Sequence, residues 1–130
     1  PEGWHIPTNS EWTDLENYLI TNGFAYVDGF GTNNLGSAMA SNSGWNSGNN
    51  PGDTGFNQSE NNTSFFNVFP VGARYDDGSY QGEGMFSVSW AMDENESGDV
   101  WFRSISAQSS NIDASSIGKS FGLSVRMVKD

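Results

Sequence analysis

The 130-residue sequence contains no cysteine and a single histidine, His5. The missing cysteines exclude a disulfide framework, thiolate catalysis and metal sites built on thiolates. A Ser–His–Asp site would have to use His5, which lies directly before a predicted helix. We therefore expect His5 to be structural, with hydrogen bonds near the start of that helix, and we expect the protein not to be an enzyme.

Basic side chains are also scarce, with 5 Lys and Arg against 16 Asp and Glu and a net charge of -11. Such an acidic chain repels phosphate backbones and anionic membrane surfaces, so nucleic acid is not an expected partner. No apolar run approaches the ~20 residues of a membrane-spanning helix, so direct membrane insertion is not expected either. An acidic surface rich in Asn, Ser and Gly fits an extracellular or cell-surface location.

The abundant residues are aromatic side chains, at 14% of the sequence, and glycine, at 16 residues. Scarce aliphatic residues argue against helical bundles, and the aromatic content argues against disorder. The length fits one domain with a core of its own. The sequence divides into a patterned start at residues 1–27, a Gly-, Asn- and Ser-rich middle at residues 28–64, and a β-rich end at residues 65–130.

The patterned start predicts one amphipathic helix. Thr8 and Glu11 form a capping box, which predicts that the helix begins after Thr8 and runs to about Leu19 or Ile20. An apolar stripe follows at spacings of three and four residues: Trp12, Leu15, Tyr18 and Leu19. Gly23 predicts a left-handed stop. The middle predicts only a weak helix at about residues 33–41, and otherwise loop.

The end of the sequence predicts strands at residues 65–69, 85–92, 100–106 and 123–128, with a hairpin turn at Asp76-Asp77-Gly78. Within the second of these strands the alternation places four apolar side chains on one face: Phe86, Val88, Trp90 and Met92. One helix, a loop-rich middle and an antiparallel sheet together indicate an α+β fold.

Large aromatic and cationic side chains in the patterned segments are the expected framework of the core. We expect four aromatic residues to be buried there: Trp4, Trp12, Phe66 and Trp90. Three arginines are expected to pair with acids or carbonyls as structural braces: Arg74, Arg103 and Arg126.

Four segments in order resemble motifs of the Fibrobacter succinogenes major paralogous domain. The first is GWHIPTNSEWTDLENYL at residues 3–19, and the second is LGSAMASNSGWNS at residues 35–47. The third is NNTSFFNVFPVGAR at residues 61–74, and the last is GKSFGLSVRMVKD at residues 118–130. The resemblance therefore extends over the whole chain.

That family is similar to the formylglycine-generating enzymes, which are relatives of the C-type-lectin-like fold. The resemblance implies a small twisted antiparallel sheet, one or two helices, long irregular loops and neighbouring termini. Those enzymes use cysteines and copper to oxidise a substrate thiol, so the absence of cysteine here means that their activity is not implied.

The sequence departs from the family pattern in three places. Residues 87–91 read Ser-Val-Ser-Trp-Ala where the family often has Trp-Ser-Ser-Thr-Glu, and Met127 occupies a position that is often Cys. A strand that usually precedes the first motif is missing, so residues 1–130 are interpreted as a single family domain that lacks its first strand. Since an open edge aggregates, we expect residues 123–128 to pair with another segment or a neighbouring chain, including a second copy.

Aromatic side chains in the polar loops are candidate platforms for sugar rings. Trp45 lies among amides that suit hydroxyl groups, namely Asn46, Asn49 and Asn50, and Phe56 and Tyr80 are in similar surroundings. The other interpretation of Trp45 is a buried anchor that holds a long loop in place.

Four acids cluster in one predicted turn and could bind Ca²⁺: Asp93, Glu94, Glu96 and Asp99. Hard oxygens in one flexible loop are the ligands that Ca²⁺ requires. The alternative is a solvated turn between two strands, and no other cofactor is indicated.

These observations favour a non-catalytic extracellular recognition or adhesion module, whose partner is a glycan or a surface protein bound through the loops. The alternative is a structural or assembly subunit of a surface filament, an outer-membrane complex or a phage tip.

Overall fold

The computed structural model describes residues 1–27 and 33–130. Two α-helices are described, α1 (Asn9–Thr21) and α2 (Leu35–Met39), with a short 3-10 helix at Gln58–Glu60. The strands are β1 (Trp4–His5), β2 (Val71–Arg74), β3 (Tyr80–Glu83), β4 (Phe86–Glu94), β5 (Val100–Ser106), β6 (Ile112–Ile117) and β7 (Val128–Lys129).

The main sheet has five strands in the order β3-β2-β4-β5-β6. Neighbouring strands in this sheet run antiparallel, except that β2 and β4 run parallel and pair at Gly72 and Ser87. A separate two-stranded sheet joins β1 to β7. The α+β prediction is confirmed, and the expected antiparallel sheet is corrected to a mixed one.

The helix α1 begins where the capping box predicts. Thr8 Oγ1 accepts the backbone N–H of Glu11 at 3.1 Å, and Glu11 Oε2 accepts the backbone N–H of Thr8 at 2.8 Å. Each side chain satisfies a donor that the first turn of a helix leaves without a partner. At the other end, Gly23 adopts a φ of 77°, which confirms the left-handed residue after the helix.

The core lies between α1, α2 and one face of the main sheet. Trp12 and Leu19 of α1 are buried there, and the Trp12 indole N–H donates to the carbonyl of Trp90 at 3.2 Å. Met39 is fully buried at 0% exposure, and Ile105 of β5 is 3% exposed. Aromatic and aliphatic side chains from the helices therefore fill the space above the sheet.

A buried arginine fastens α1 to the sheet. Arg103 of β5 is 4% exposed, and its Nε donates to Glu16 Oε1 at 2.6 Å. Its Nη atoms donate to the side-chain and main-chain oxygens of Asn9 and to Thr13 Oγ1. The predicted brace is confirmed for Arg103, and Arg126 likewise donates to the carbonyls of Phe66 and Asn67. Arg74 is exposed.

The side chains of β4 alternate between two faces as predicted, but the face that packs against the helices is the one with the small residues. Ser87, Ser89 and Ala91 are the buried residues below α1, because the bulky side chains of the helices and Arg103 fill that layer. Phe86 and Val88 face a groove on the opposite side of the sheet, which they share with other apolar residues: Phe102, Ile117, Phe121 and Leu123. On this side of the sheet Val88 is also buried, Trp90 is half-buried and Met92 is exposed.

The strand predicted at residues 65–69 is wrong. Phe65 and Asn67 both have a φ of 60°, a left-handed conformation that no strand contains. Phe65 is 84% exposed, while Phe66 packs edge-on against Trp12, with ring centroids 6.0 Å apart. The run of aromatic residues therefore belongs to a tight loop that inserts one ring into the core.

The last strand is shorter than predicted. Only Val128–Lys129 forms a strand, and it pairs with Trp4–His5. Before it, the chain makes single bridges, from Gly122 to Arg74 and from Ser124 to Ser89. Part of the segment expected to need an outside partner is thus paired within the chain, and pairing with a further segment or chain stays a prediction.

The expected burial of Trp4 is wrong, and one strand of the sheet has no signal in the sequence. Trp4 is 46% exposed rather than buried, because its strand belongs to the small sheet at the surface. The strand β6 shows no apolar alternation, so the sequence pattern does not predict it. Its backbone pairs with β5, and β6 forms one edge of the main sheet.

The buried Arg103–Glu16 pair predicts a large cost for removing one partner. Glu16→Leu would leave a buried guanidinium without its carboxylate, so we expect a loss of about 3 to 5 kcal/mol in the free energy of unfolding. Urea unfolding measures this loss. Glu16→Gln, which keeps an acceptor, should cost less, and Asn17→Leu on the exposed side of α1 is the matched control. A Glu16→Leu protein as stable as wild type would contradict the role of the pair.

His5 joins the small sheet to α1 and predicts a dependence of stability on pH. Its Nδ1 lies 2.7 Å from Asp130 Oδ1, and its Nε2 lies 2.9 Å from Glu11 Oε1. The hydrogen bonds with Asp130 and then Glu11 raise the pKa of His5 above the usual 6.5. The backbone N–H of Thr8, followed by His5, lowers the pKa of Glu11 from the usual 4.5 to about 2.

Because the bridge is strongest with a charged imidazole, its contribution is complete below pH 6.5 and is lost as the pH rises through the raised pKa of His5. The contribution of Glu11 is complete above pH 4.5 and is lost as the pH falls towards 2. The difference in Tm between wild type and His5→Gln should therefore be largest between these limits. A difference that stays constant into the alkaline range would overturn this assignment.

Candidate functional site

The polar loops between α2 and β2 are fixed by buried polar side chains. Ser41, Thr54 and Asn61 are each at most 7% exposed. Asn61 Nδ2 donates to the carbonyls of Ser41 and Thr54 at 3.2 and 2.9 Å, and Thr54 Oγ1 donates to the carbonyl of Ser109 at 2.8 Å. These loops are therefore held in one conformation by side chains that substitute for a regular backbone ladder.

The loops also lie directly against the end of β5. The backbone N–H of Gly55 donates to the carbonyl of Ala107 at 2.9 Å. A Cβ atom at Gly55 would lie 2.0 Å from the carbonyl oxygen of Asn46, so no side chain fits at this position. Gly55 is therefore packed closely between Asn46 of the same loops and Ala107 at the end of β5.

Trp45 is a loop anchor. It is 5% exposed, and its indole N–H donates to Ser41 Oγ at 3.1 Å. Its backbone is clamped by the side chain of Gln58, which accepts from the Trp45 N–H at 3.0 Å and donates to the Trp45 carbonyl at 2.7 Å. Of the two interpretations open from the sequence, the structure has the buried one, and Trp45 offers no free face to a sugar ring.

A surface cavity of about 270 Å³ opens among the same loops. Two exposed aromatic side chains border it, Tyr26 at 59% and Phe56 at 53% exposure. Its other lining residues are mostly polar: Asn34, Ser37, Pro51, Gly52, Asp53, Asn57, Glu60 and Asn61. We call this the loop cavity.

The polar lining of the loop cavity is pre-arranged. Asp53 Oδ2 accepts the backbone N–H groups of Asn49 and Asn50 at 3.0 and 2.8 Å. Asn34 Oδ1 accepts the backbone N–H of Tyr26 at 2.7 Å. Groups that are held in place before a ligand arrives lose little conformational entropy on binding.

Of the six predicted contact residues, Phe56 alone lines the loop cavity. Asn49 and Asn50 support it indirectly, by donating to Asp53. The Asn46 backbone donates to the carbonyl of Gly84 at 2.7 Å. Tyr80 is 82% exposed on the edge strand β3.

The sequence did not point to Tyr26, Asp53 or Glu60 as cavity residues. Tyr26 follows the helix in an apolar run that resembles core, and the two acids lie in a chain with many others. Only Asp53 has a signal in the sequence, since Pro51-Gly52-Asp53 is typical of a surface turn next to Phe56.

Two of the four acids predicted to bind Ca²⁺, Asp93 and Glu94, have other partners. Asp93 Oδ2 accepts the backbone N–H of Asn9 at the start of α1, and Glu94 pairs with Lys119 at 2.6 Å. Asn95 Oδ1 organises the turn by accepting the N–H groups of Ser97 and Asp99. Within residues 1–27 and 33–130, no three acids or histidines come together in an arrangement that could hold a metal ion. Calcium binding by this turn stays a prediction.

The arrangement of motifs at residues 3–19, 61–74 and 118–130 is accounted for by one family. The model of the Fibrobacter succinogenes major domain matches residues 1–129. The chain belongs to this family. No curated protein and no solved structure matches the chain.

The Fibrobacter succinogenes major domain motifs in this chain serve the fold. His5 of the first motif contacts Glu11 of the same motif and Asp130 of the last. Arg126 of the last motif donates to Phe66 of the third. Residues of these motifs thus make contacts that hold the two ends of the domain together. Among the described residues of this Fibrobacter succinogenes major domain, no helix is long and apolar enough to cross a membrane.

The buried position of Trp45 predicts a loss of stability on truncation. Trp45→Ala removes a large buried side chain and its indole hydrogen bond to Ser41 Oγ, so we expect a cost of about 3 to 5 kcal/mol and a marked fall in Tm. Thermal and urea unfolding test this. Tyr80→Ala, which truncates a highly exposed aromatic residue, is the control and should leave Tm within a few degrees. A stable Trp45→Ala protein would contradict the anchor.

Proposed function

We propose that this domain is a non-catalytic recognition module at the cell surface, and that it binds a glycan in the loop cavity. The observation that carries the proposal is the pairing of two exposed aromatic rings, Tyr26 and Phe56, with pre-arranged amide and carboxylate groups around one cavity. Aromatic faces pack against the apolar faces of sugars, and amides and carboxylates bind their hydroxyl groups.

The volume of the loop cavity fits a small part of a glycan. About 270 Å³ is slightly below the range of pockets that enclose drug-sized ligands, so one or two sugar rings would fill it. Asp53 and Glu60 give the cavity an acidic lining, and with a net charge of -11 this favours neutral or amino sugars over acidic ones.

The fold supports the same proposal. We infer a relation to the C-type-lectin-like fold from the α+β architecture, the pairing of β1 with β7 near the two ends of the chain, and the long loops carried by the sheet. In this interpretation the sheet is the scaffold and the loops vary with the ligand.

An assembly subunit is the second candidate, and a separate surface favours it. Three apolar side chains near β2 and in the loop before β4 are each more than half exposed: Phe69, Val71 and Met85. They lie beside the edge strand β3, which has one free side in the five-stranded sheet. Clustered apolar residues and a free edge are features of surfaces that pack against another chain.

A glycan array, probed with and without Ca²⁺, tests the proposal. We expect retention of a defined set of glycans whether or not Ca²⁺ is present, because the loop cavity does not include the acidic turn. Phe56→Ala and Tyr26→Ala should each weaken binding at least about tenfold, which is 1.4 kcal/mol, without lowering Tm.

Phe65→Ala is the matched control, since Phe65 is 84% exposed and does not line the loop cavity. Its affinity should equal that of wild type. Binding that survives both cavity substitutions would place the site elsewhere. No glycan binding, together with concentration-dependent oligomers that Val71→Asp abolishes, would favour the assembly subunit.

A further inference from the structure

A second cavity, of about 450 Å³, lies between α1 and the last segment of the chain. Its lining comprises Pro7, Glu11, Trp12, Asp14, Leu15, Phe66, Arg126, Met127 and Val128. None of these residues lines the loop cavity. We call it the helix cleft, and its volume is in the range of pockets that bind small organic molecules.

The helix cleft has an apolar floor. Trp12 and Phe66 meet edge to face, with ring centroids 6.0 Å apart, and Leu15 continues the apolar surface along α1. Met127, which is 37% exposed, adds a flexible thioether to the lining. This surface suits an aliphatic or aromatic group of a ligand.

The lining of the helix cleft also contains a fixed cation, Arg126. The Arg126 guanidinium carbon lies 4.6 Å from the centre of the Phe66 ring, in a cation–π contact. Its Nη2 donates to the carbonyls of Phe66 and Asn67 at 3.0 and 3.3 Å. Among the described residues, Nε and Nη1 have no hydrogen-bond partner, so the guanidinium is oriented and still has donors for a carboxylate.

Two acids on α1 line the helix cleft, and only one is already engaged. Glu11 uses its carboxylate to bind His5 and to cap the helix through Thr8. Asp14, one turn further along α1, is exposed and makes no hydrogen bond or ion pair among the described residues. The cleft therefore presents one available cation and one available anion beside an apolar floor.

We propose that the helix cleft binds a small apolar zwitterion, an amino acid or short peptide with an aliphatic or aromatic side chain. The ligand carboxylate pairs with Arg126, its ammonium pairs with Asp14, and its side chain packs on Trp12, Leu15 and Phe66. A simple carboxylate would leave Asp14 facing an anion, and a simple amine would leave the donors of Arg126 without an acceptor.

The chemistry of the cleft separates this ligand class from a glycan. A neutral sugar would leave both available charges without a counter-charge, and its hydroxyl groups would face the apolar floor. The helix cleft and the loop cavity thus differ in lining and are expected to bind different molecules.

The experiment is a titration of the whole 130-residue chain, followed by backbone amide NMR shifts. Four probes share one aromatic body: L-phenylalanine, the dipeptide Phe-Phe, 3-phenylpropionate and phenethylamine. We expect phenylalanine or the dipeptide to shift residues around Trp12, Leu15 and Met127, with no shift around Tyr26 and Phe56. Whichever of the two binds more tightly identifies the source as a free amino acid or a peptide, and the single-charge probes should bind at least about tenfold more weakly.

Two variants test which side chain binds each charge of the ligand. Asp14→Asn should weaken zwitterion binding several-fold and leave the binding of phenylpropionate unchanged or stronger. Arg126→Met should weaken zwitterion and phenylpropionate together, and its unfolding curve shows whether the domain is intact. Asp113→Asn, on the exposed part of β6, is the control and should bind as wild type does.

Three results would overturn the proposal. The first is the absence of shifts in the cleft with either zwitterion at millimolar concentration. The second is equal binding of phenylalanine and phenethylamine, which would remove the role of Arg126. The third is equal binding by wild type and Asp14→Asn, which folds whether or not the cleft binds a ligand, because Asp14 is exposed and unpaired.

Discussion

The guanidinium of Arg103 is the interaction on which the rest of this domain depends. It extends from the middle of β5 to three residues of α1, namely Asn9, Thr13 and Glu16. Because the group is 4% exposed, its charge is stable only while those oxygens surround it, so the helix has one position and one rotation on the sheet. That position places Trp12 over the core face and leaves Asp14 and Leu15 at the helix cleft.

The loop region depends on a similar principle with neutral groups. Buried Ser41, Thr54 and Asn61 bind the backbone where no strand or helix does, and Trp45 fills the space beneath. A long Gly- and Asn-rich segment is thereby folded without regular secondary structure. The consequence for function is a rigid surface made of loops, which can change its exposed residues without losing the internal contacts that hold it.

Several features of the candidate sites could be anticipated and others could not. Phe56 was recognisable because an aromatic residue in a polar turn has few core partners nearby in the sequence. Tyr26, Arg126 and Asp14 were not, since Tyr26 joins residues 34–61, and Arg126 joins residues 7–15, only in the folded chain. Trp45 had the same sequence surroundings whether buried or exposed, and the decisive contact, its hydrogen bond to Ser41, is a property of the folded loop.

The sequence by itself determined the local elements whose signals are local: the capping box of α1, the left-handed Gly23, the turn at residues 76–78 and the strand β5. The tertiary structure alone decided which face of β4 is buried, because alternation defines two faces and only the volume of Trp12, Met39 and Arg103 selects the one lined by Ser87 and Ser89. It also decided that residues 65–69 form a loop, since Phe66 enters the core only if its neighbours adopt left-handed conformations. Short-range backbone preferences can be read along the chain, whereas the filling of a shared space depends on residues far apart in sequence.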